Sequence, residues 1–434
     1  MKKIVLSLAG VMAAVAFAPE ASALPVFARQ TGMACSACHF QHFPLLNSFG
    51  RAFKASGYTM MGAQGKVESE QPAEQVGKEG QIHGNGHSEL SIPNVLNLGV
   101  LTTTRYDQVS GGVPAHWNVP TSGGELSIFF GGRVAEFAGF LSELSMAGAG
   151  GVAAVGAAKL ALLFPVGDMR VGTVILSTGG QGIAHSFELL NTGAANTHKV
   201  SAFNGAGNGG RNHVAVTSAA QNLGTNVAAT GLSFVAQNDM GYAVLGRYEQ
   251  AGQLGGGAHN LPLTYLRLVG QFDVAGFEAA VGIQNWSGTS AATLLTATNR
   301  ATVIDGQLQC DDCAGGMPLG LYASYGTAPI NSQFNIGGAL AANSASSFNV
   351  TAELGVVPHV ATVQLALRSA KDGAAVGVGN TNNAIMVGGT YELAQNIELS
   401  LTHTSNSGSA WNIGGSRAAM TGKTETTLML EALF

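Results

Sequence analysis

The residues with the most distinctive chemistry lie together near the start of the chain. Cys35 and Cys38 are separated by two residues, and His39 follows directly. This C-x-x-C-H spacing is the attachment motif of a c-type haem, in which two thioether bonds hold the porphyrin and the histidine binds its iron. The alternatives are a disulfide or a zinc ligand pair. Because the motif occurs once, we predict one haem c, with His39 as the proximal iron ligand.

The ligand on the opposite side of the iron is less well defined by the sequence. Met60 and Met61 lie far enough along the chain to return over the distal face, and a thioether there would raise the haem potential. Met60 is the candidate distal ligand and Met61 the alternative, while packing around the haem is the other role open to both. Met33 is too close to the motif, and in a helix His42 would share the face of the proximal ligand.

The stretch FPLLNSFGRAFKASGY, which follows the motif, predicts a short amphipathic helix. Pro44 is a suitable first residue and Gly57 a suitable end. Leu45, Phe49 and Phe53 are spaced by four residues, so a helix places them on one face. We expect this face to cover the haem and exclude water.

Basic residues near the motif are candidates for binding the haem propionates. Arg51 is the predicted propionate partner, and Arg29 and Lys54 are further candidates. The alternative is that these residues form an ordinary solvated face.

The first 23 residues predict a secretory signal peptide. Lys2 and Lys3 precede an apolar run over residues 4–17, and a small-residue cleavage site follows at residues 21–23. The mature chain would then begin at Leu24 in a compartment that permits disulfides and thioether attachment.

The composition of the full chain favours a membrane β-barrel. Hydrophobic residues make up 46% and charged residues only 10%, and the net charge of -5 gives no basic surface for nucleic acid. The apolar run 147–167 contains four glycines within ten residues, which disfavours a helix and favours a strand after a glycine turn. Without membrane-spanning helices, a closed barrel is the architecture that satisfies the backbone in lipid.

Alternating patterns support this fold class. In residues 423–434 Leu428 and Leu430 alternate with Glu425 and Glu431, and residues 264–274 and 396–404 repeat the pattern. We predict an all-β, antiparallel transmembrane barrel of about 16 strands with a small α-helical N-terminal cytochrome c head. The sequence suggests short connections at Ala138-Gly139, Ala275-Gly276, Pro358-His359 and Ala394-Gln395, and long loops at about 178–221, 285–299 and 403–421.

The predicted organisation has four parts. Residues 1–23 are the signal peptide, 24–61 the monohaem cytochrome c head, 62–93 a linker, and 94–434 the porin-like outer-membrane barrel.

Residues 24–60, LPVFARQTGMACSACHFQHFPLLNSFGRAFKASGYTM, resemble the N-terminus of the fused outer-membrane monohaem cytochrome c-porin family of iron-oxidising bacteria. The resemblance implies a Gram-negative outer-membrane protein whose haem, attached at Cys35 and Cys38 with His39 as ligand, accepts electrons from extracellular Fe(II) or a small iron complex. A periplasmic electron carrier, such as a soluble cytochrome, would receive them. Such a protein is an Fe(II) oxidase only in the loose sense, because it needs no catalytic acid, base or nucleophile.

Two other functions fit the same sequence. One is a porin-like channel with an appended haem domain. The other is a conduit that carries electrons outward to an extracellular acceptor.

A second C-x-x-C pair lies in the sequence QCDDCAGG. Cys310 and Cys313 lack a following histidine, so we predict a small loop disulfide. Asp311 and Asp312 between them are either solvated charges or an acidic docking point for iron.

Overall fold

The structure is a computed structural model that describes residues 26–31, 33–59, 97–111, 114–135, 137–146, 154–201, 216–250, 260–292, 295–336, 341–375, 380–411 and 423–434. Within these ranges, no helix is both long enough and apolar enough to cross a bilayer.

The chain forms a closed antiparallel β-barrel. The main sheet contains 18 strands, of which His116–Pro120 and Gly123–Gly124 are short strands beside the first hairpin, so sixteen form the wall. The barrel closes where the first and last wall strands pair, from Leu101 opposite Leu433 to Val109 opposite Glu425. The predicted number of about 16 strands is therefore confirmed.

The wall strands are β1 Leu98–Val109, β2 Leu126–Ala135, β3 Ala138–Ser145, β4 Ala154–Val166, β5 Met169–Thr178, β6 Ala229–Asn238, β7 Gly241–Glu249, β8 Leu263–Val274, β9 Phe277–Ser287, β10 Ala301–Cys310, β11 Leu319–Ala328, β12 Ala345–Val357, β13 Ala361–Lys371, β14 Asn383–Ala394, β15 Ile397–Ser407 and β16 Thr424–Leu433. A separate hairpin pairs Thr289–Ala292 with Leu295–Thr298. The α-helices are α1 Val26–Thr31, α2 Ser48–Ala55 and α3 Ala219–Asn222, and 3-10 turns lie at Cys35–Ala37, Ile183–Ser186 and Ser409–Trp411.

Alternation along each strand separates an apolar outside from a polar lumen. On β16, Leu430 is 40% exposed while Glu431, the next residue, is 5% exposed. On β8, Leu266 and Leu268 point outward and Arg267 between them is fully buried. Successive side chains in a strand point to opposite faces, so an apolar outer surface requires this period of two. The predicted strand patterns are confirmed, and within the run 147–167 the described part forms strand β4, Ala154–Val166, rather than a helix.

The two rims of the barrel differ in loop length. Connections such as 167–168, 239–240, 275–276 and 395–396 are two-residue turns on one rim, whereas 179–228 and 408–423 connect strands at the other. The predicted connection at Ala138-Gly139 is wrong, since β2 ends at Ala135 and β3 already begins at Ala138. Outer-membrane barrels place short turns in the periplasm and long loops outside.

The N-terminal segment lies at the short-turn end of the lumen. Cys35 Sγ donates to Asn396 Oδ1 in the β14–β15 turn at 3.0 Å, and Gln41 Oε1 accepts from the amide of His359 in the β12–β13 turn at 3.0 Å. A Cβ on Gly139 would lie 1.8 Å from the carbonyl oxygen of Gly57, so this part of the wall touches the segment backbone.

The structure does not support the predicted α-helical head. The described residues of this segment contain two α-helices, of six and eight residues, and one 3-10 turn. The predicted start of the second helix at Pro44 is wrong, because α2 begins at Ser48. Asn47 caps it by accepting from the amide of Gly50 at 2.8 Å.

The long connection between β5 and β6 folds back into the lumen. Its described residues 183–201 are almost all buried. Arg267 Nη2 on β8 donates to Glu188 Oε1 of this connection at 3.1 Å and to Asp305 Oδ2 on β10 at 2.8 Å, and Thr192 also donates to Asp305. Because each of these buried charged groups has a partner of opposite charge, the connection is held against the inner wall. We call residues 183–201 the inserted loop.

Candidate haem-binding site

The C-x-x-C-H motif forms a tight turn at the short-turn end of the lumen. The amides of Cys38 and His39 both donate to the carbonyl oxygen of Cys35, at 3.1 and 2.9 Å. Cys35 and Cys38 are free thiols, whereas Cys310 and Cys313, at the same spacing, are joined by the predicted disulfide. The first pair therefore remains available for thioether bonds.

The ring of His39 is oriented by the backbone. Its Nδ1 lies 2.9 Å from the carbonyl oxygen of Leu45, and since a carbonyl only accepts, Nδ1 carries the proton and Nε2 keeps a free lone pair. Desolvation inside the barrel lowers the pKa of His39 to about 4, so the ring is neutral at pH 7. A neutral imidazole with one nitrogen fixed by a carbonyl is the usual arrangement of a metal-binding histidine.

Helix α2 packs directly on the motif. A Cβ on Gly50 would lie 2.0 Å from the carbonyl oxygen of Cys38. The same oxygen accepts from the amide of Asn47 at 3.0 Å, and the Asn47 side chain donates to the carbonyl oxygen of Ala37 at 3.0 Å. The helix start therefore fixes the position of the second cysteine.

A partly enclosed cavity of about 220 Å³ borders the motif. Cys35, Cys38 and His39 line it together with an aromatic group, in which Phe27 stacks on Tyr58 with ring centroids 4.5 Å apart. Most of the remaining lining is apolar, as expected for a pocket that holds a cofactor ring.

A second cavity, of about 430 Å³, shares Cys35 and His39 with the first. Its lining includes His359 and Asn396 in the short turns, so it lies toward that rim. The motif thus borders one cavity deeper in the lumen and a second cavity on the short-turn side.

Four basic side chains also line the first cavity: Lys54 of α2, Lys159 of β4, and His185 and His198 of the inserted loop. Lys54 Nζ lies 2.8 Å from His198 Nε2, and Lys159 Nζ donates to the carbonyl oxygen of His185 at 2.9 Å. Burial, and then the charges of the two lysines, lower the pKa of both histidines well below the ordinary value. Sequence reasoning missed Lys159 and both histidines, because only the inward fold of the loop and the alternation of β4 bring them to the motif.

The predicted propionate partner is placed elsewhere. The guanidinium of Arg51 bonds to Glu278 and Gln309 on the wall and donates to the carbonyl oxygen of Leu46 at 3.0 Å, so it points away from the cavity. The prediction of Arg51 as a propionate partner is therefore wrong for this cavity. Lys54, from the same helix, does face the cavity.

The other predicted residues have mixed outcomes. Phe53 lines the first cavity, whereas Phe49 is 37% exposed and Leu45 is buried against Phe40 and Tyr322, before the helix begins. The predicted three-residue stripe is therefore wrong at Leu45 and Phe49. Met60 and Met61 lie outside the described residues and remain predictions. Met33 lines both cavities.

The acidic pair Asp311 and Asp312 lies at the short-turn rim, beside Gly276 of the β8–β9 turn. With short turns in the periplasm, this position is on the wrong side for docking extracellular iron. Within the described residues as a whole, no group of three or more His, Cys, Asp or Glu side chains is arranged to hold a metal ion.

These features together fit a c-type haem. The two free thiols and the neutral histidine share an apolar cavity, and among the described residues His198 Nδ1 on its wall is buried without a hydrogen-bond partner. Cys35, Cys38 and His39 would hold the haem.

No protein-family model and no curated protein sequence matches the chain. Among solved structures, a Salmonella typhi OmpF complex with daunomycin is similar over 78% of this chain and 97% of its own, at 13% identity and a TM-score of 0.48. A porin mutant from Rh. blastica covers 78% and 100%, at 12% identity and a TM-score of 0.47. The outer membrane channel DcaP of Acinetobacter baumannii covers 78% and 97%, at 12% identity and a TM-score of 0.47. We draw no functional conclusion from similarity at this level.

Proposed function

We propose that the protein is an outer-membrane electron-transfer protein. It carries one haem c on Cys35, Cys38 and His39, takes electrons from extracellular Fe(II) or a small iron complex, and passes them to a periplasmic carrier such as a soluble cytochrome. The observation that carries the proposal is the position of the C-x-x-C-H turn: inside a closed barrel, beside an apolar cavity, with the histidine held as a neutral ligand by Leu45.

The outer-membrane location is supported by the surface of the barrel. Large apolar side chains are exposed around the wall, for example Phe234 at 52%, Ile304 at 56% and Leu401 at 53%. In water such a continuous apolar surface is unfavourable, whereas in lipid it is the expected outer face.

The chain's own residues isolate and orient the site. A bound haem would supply a one-electron redox centre, whose potential depends on ligation, burial and nearby charge. Phe27, Phe53 and Tyr58 exclude water, and His39 stays neutral with Nε2 free. Each Fe(II) oxidised to Fe(III) gives up one electron, and one equivalent of the carrier is reduced.

The rim position of the motif supports a periplasmic partner. The second cavity opens near His359 and Asn396, in turns on the rim that short connections assign to the periplasm. Iron as the donor rests on the family resemblance of residues 24–60.

A porin-like channel is the second candidate, because a closed sixteen-stranded barrel with a polar inner face is the architecture of a diffusion pore. The inserted loop argues against free diffusion. Its amide at Asn191 donates to Gln307 on the wall at 2.7 Å, and the Asn191 side chain and the backbone of Leu46 exchange hydrogen bonds of 2.9 and 2.8 Å. The inserted loop and the N-terminal segment therefore occupy the lumen together.

Two measurements on the same preparation separate these functions. Stopped-flow absorption of the oxidised, mature protein mixed with Fe(II) should show reduction of the haem bands, and a Cys35→Ser/Cys38→Ser double variant should show none. In planar bilayers we expect little steady conductance. A large stable pore in a protein that Fe(II) does not reduce, at acidic and neutral pH, would contradict the proposal and favour the channel.

Direction of flow is tested separately. An outward conduit predicts that a reduced periplasmic carrier reduces the haem while Fe(II) does not. In both cases Met60→Ala should disturb the haem spectrum if Met60 is the distal ligand, and Met61→Ala should not.

A further inference from the structure

Two buried lysines reach the same cavity from different parts of the fold. Lys54 comes from α2 and is 7% exposed, and Lys159 comes from the inner face of β4 and is 2% exposed. They bring two ammonium groups to a space whose other walls are mainly aromatic and aliphatic.

Within the described chain, neither lysine forms an ion pair with a carboxylate. Lys54 Nζ contacts His198 Nε2, and Lys159 Nζ donates to the carbonyl oxygen of His185 and lies 5.6 Å from the ring centre of Tyr58. None of these partners is an anion, so no negative charge compensates an ammonium group on either lysine.

The nearest acids are engaged elsewhere. Glu188 accepts from Arg267 and from the hydroxyl of Tyr242. Glu143, which also lines the cavity, accepts from Ser127 Oγ at 3.2 Å. Neither carboxylate lies within ion-pair distance of Lys54 or Lys159.

A buried ammonium without a counter-charge is unfavourable by several kcal/mol, and the usual outcome is loss of the proton or capture of an anion. Burial lowers the pKa of Lys54 to about 7, although the carboxylate of Glu188 opposes the shift. An anion in the cavity would keep both lysines charged.

We infer that Lys54 and Lys159 bind the two propionate carboxylates of the haem, an inference that rests on the proposed haem site. A porphyrin carries both propionates on one edge of an apolar ring. The cavity matches this chemistry, with Cys35, Cys38 and the aromatic groups around the ring and two ammonium groups for the dianionic edge. Arg51, by contrast, is committed to Glu278.

The test replaces each lysine by methionine, which has similar length without charge. Lys199→Met is the matched control. Lys199, in the inserted loop, is buried like the other two lysines, but it lies outside the cavity lining and its Nζ donates to Asn196 Oδ1 at 2.9 Å. Loss of a cation beside a propionate favours the oxidised haem. We expect Lys54→Met and Lys159→Met each to shift the ratio of oxidised to reduced haem about tenfold at a fixed potential, which is about 59 mV for one electron. The control should stay near the wild type.

A second measurement, of barrel stability without haem, applies to lysine variants that attach haem poorly. In the haem-free Cys35→Ser/Cys38→Ser background, Lys54→Met should leave the barrel as stable as its parent or more stable, since it removes a buried charge that lacks its anion. Infrared difference spectra with propionate-labelled haem should show carboxylate bands that move in the lysine variants and not in Lys199→Met.

Haem-loaded lysine variants with the wild-type potential and unmoved carboxylate bands would overturn this inference alone. A correctly exported wild-type protein without haem would overturn the proposed function and this inference together.

Discussion

The substitution Gly50→Ala perturbs the site through one added methyl group. Its Cβ would lie 2.0 Å from the carbonyl oxygen of Cys38, 2.9 Å from the carbonyl carbon and 3.2 Å from Cα, all backbone atoms. Ordinary contacts begin at 3.4 Å, so α2 and the motif must separate by about 1.4 Å.

The free-energy cost of Gly50→Ala comes from the separation of α2 from the motif. Overpacking in a dense interior costs about 1–3 kcal/mol. The separation also strains the hydrogen bond from the amide of Asn47 to the Cys38 oxygen, worth about 0.5–1.5 kcal/mol. We therefore expect a loss of about 2–4 kcal/mol in the docking of the N-terminal segment, together with displacement of His39.

The assay compares haem content per protein, the visible spectrum and the unfolding midpoint of the purified protein in detergent. Gly270→Ala is the control, because a Cβ there meets nothing within 4 Å. We expect reduced haem content or an altered spectrum in Gly50→Ala and wild-type behaviour in Gly270→Ala. Identical haem content, spectra and midpoints for both variants would refute the packing argument.

Two further perturbations test the lumen. Arg267→Met leaves the carboxylates of Glu188 and Asp305 buried without a cation, which costs about 3–5 kcal/mol. As the inserted loop loosens, bilayer recordings should show a new conductance. An unchanged, non-conducting barrel would show that Arg267 does not anchor the loop. Burial by itself lowers the pKa of His42, but the adjacent carboxylate of Glu353 raises this pKa to about 10. The contact between His42 and Glu353 therefore stabilises the folded protein fully below pH 6.5, the pKa of His42 in the unfolded chain, and this stabilisation is lost as the pH rises through 10. The stability difference between wild type and His42→Gln should accordingly be largest in acid and vanish above pH 10, and a constant difference across that range would contradict the ion pair.

The wall of the barrel was predictable because each residue obeys a local rule. Leu266, Leu268 and Leu430 face lipid while Arg267 and Glu431 face the lumen, and this alternation is forced by strand geometry. The C-x-x-C-H motif could also be recognised from the sequence, since it is defined by the spacing of three residues, and the haem that it predicts stays a prediction.

The interior was not predictable from local rules. Whether Arg51 or Lys54 faces the cavity depends on which wall residues lie opposite α2. Arg51 forms an ion pair with Glu278 on the wall, so it faces away from the cavity. His198 lies beside Lys54 because the inserted loop folds into the lumen. The loop is held there by the contact of its Glu188 with Arg267, on a strand distant in sequence. The start of α2 was missed because Asn47, rather than Pro44, supplies the cap.

The central claim is that Cys35 and Cys38 carry a haem inside the barrel. The most direct measurement is the intact mass and pyridine haemochrome spectrum of the mature protein extracted from outer membranes, followed by mass spectrometry of the peptide that contains both cysteines. The account predicts one haem per chain, joined to that peptide by two thioether bonds and absent from Cys35→Ser/Cys38→Ser. A colourless mature barrel whose peptide carries free thiols or a Cys35–Cys38 disulfide would contradict it.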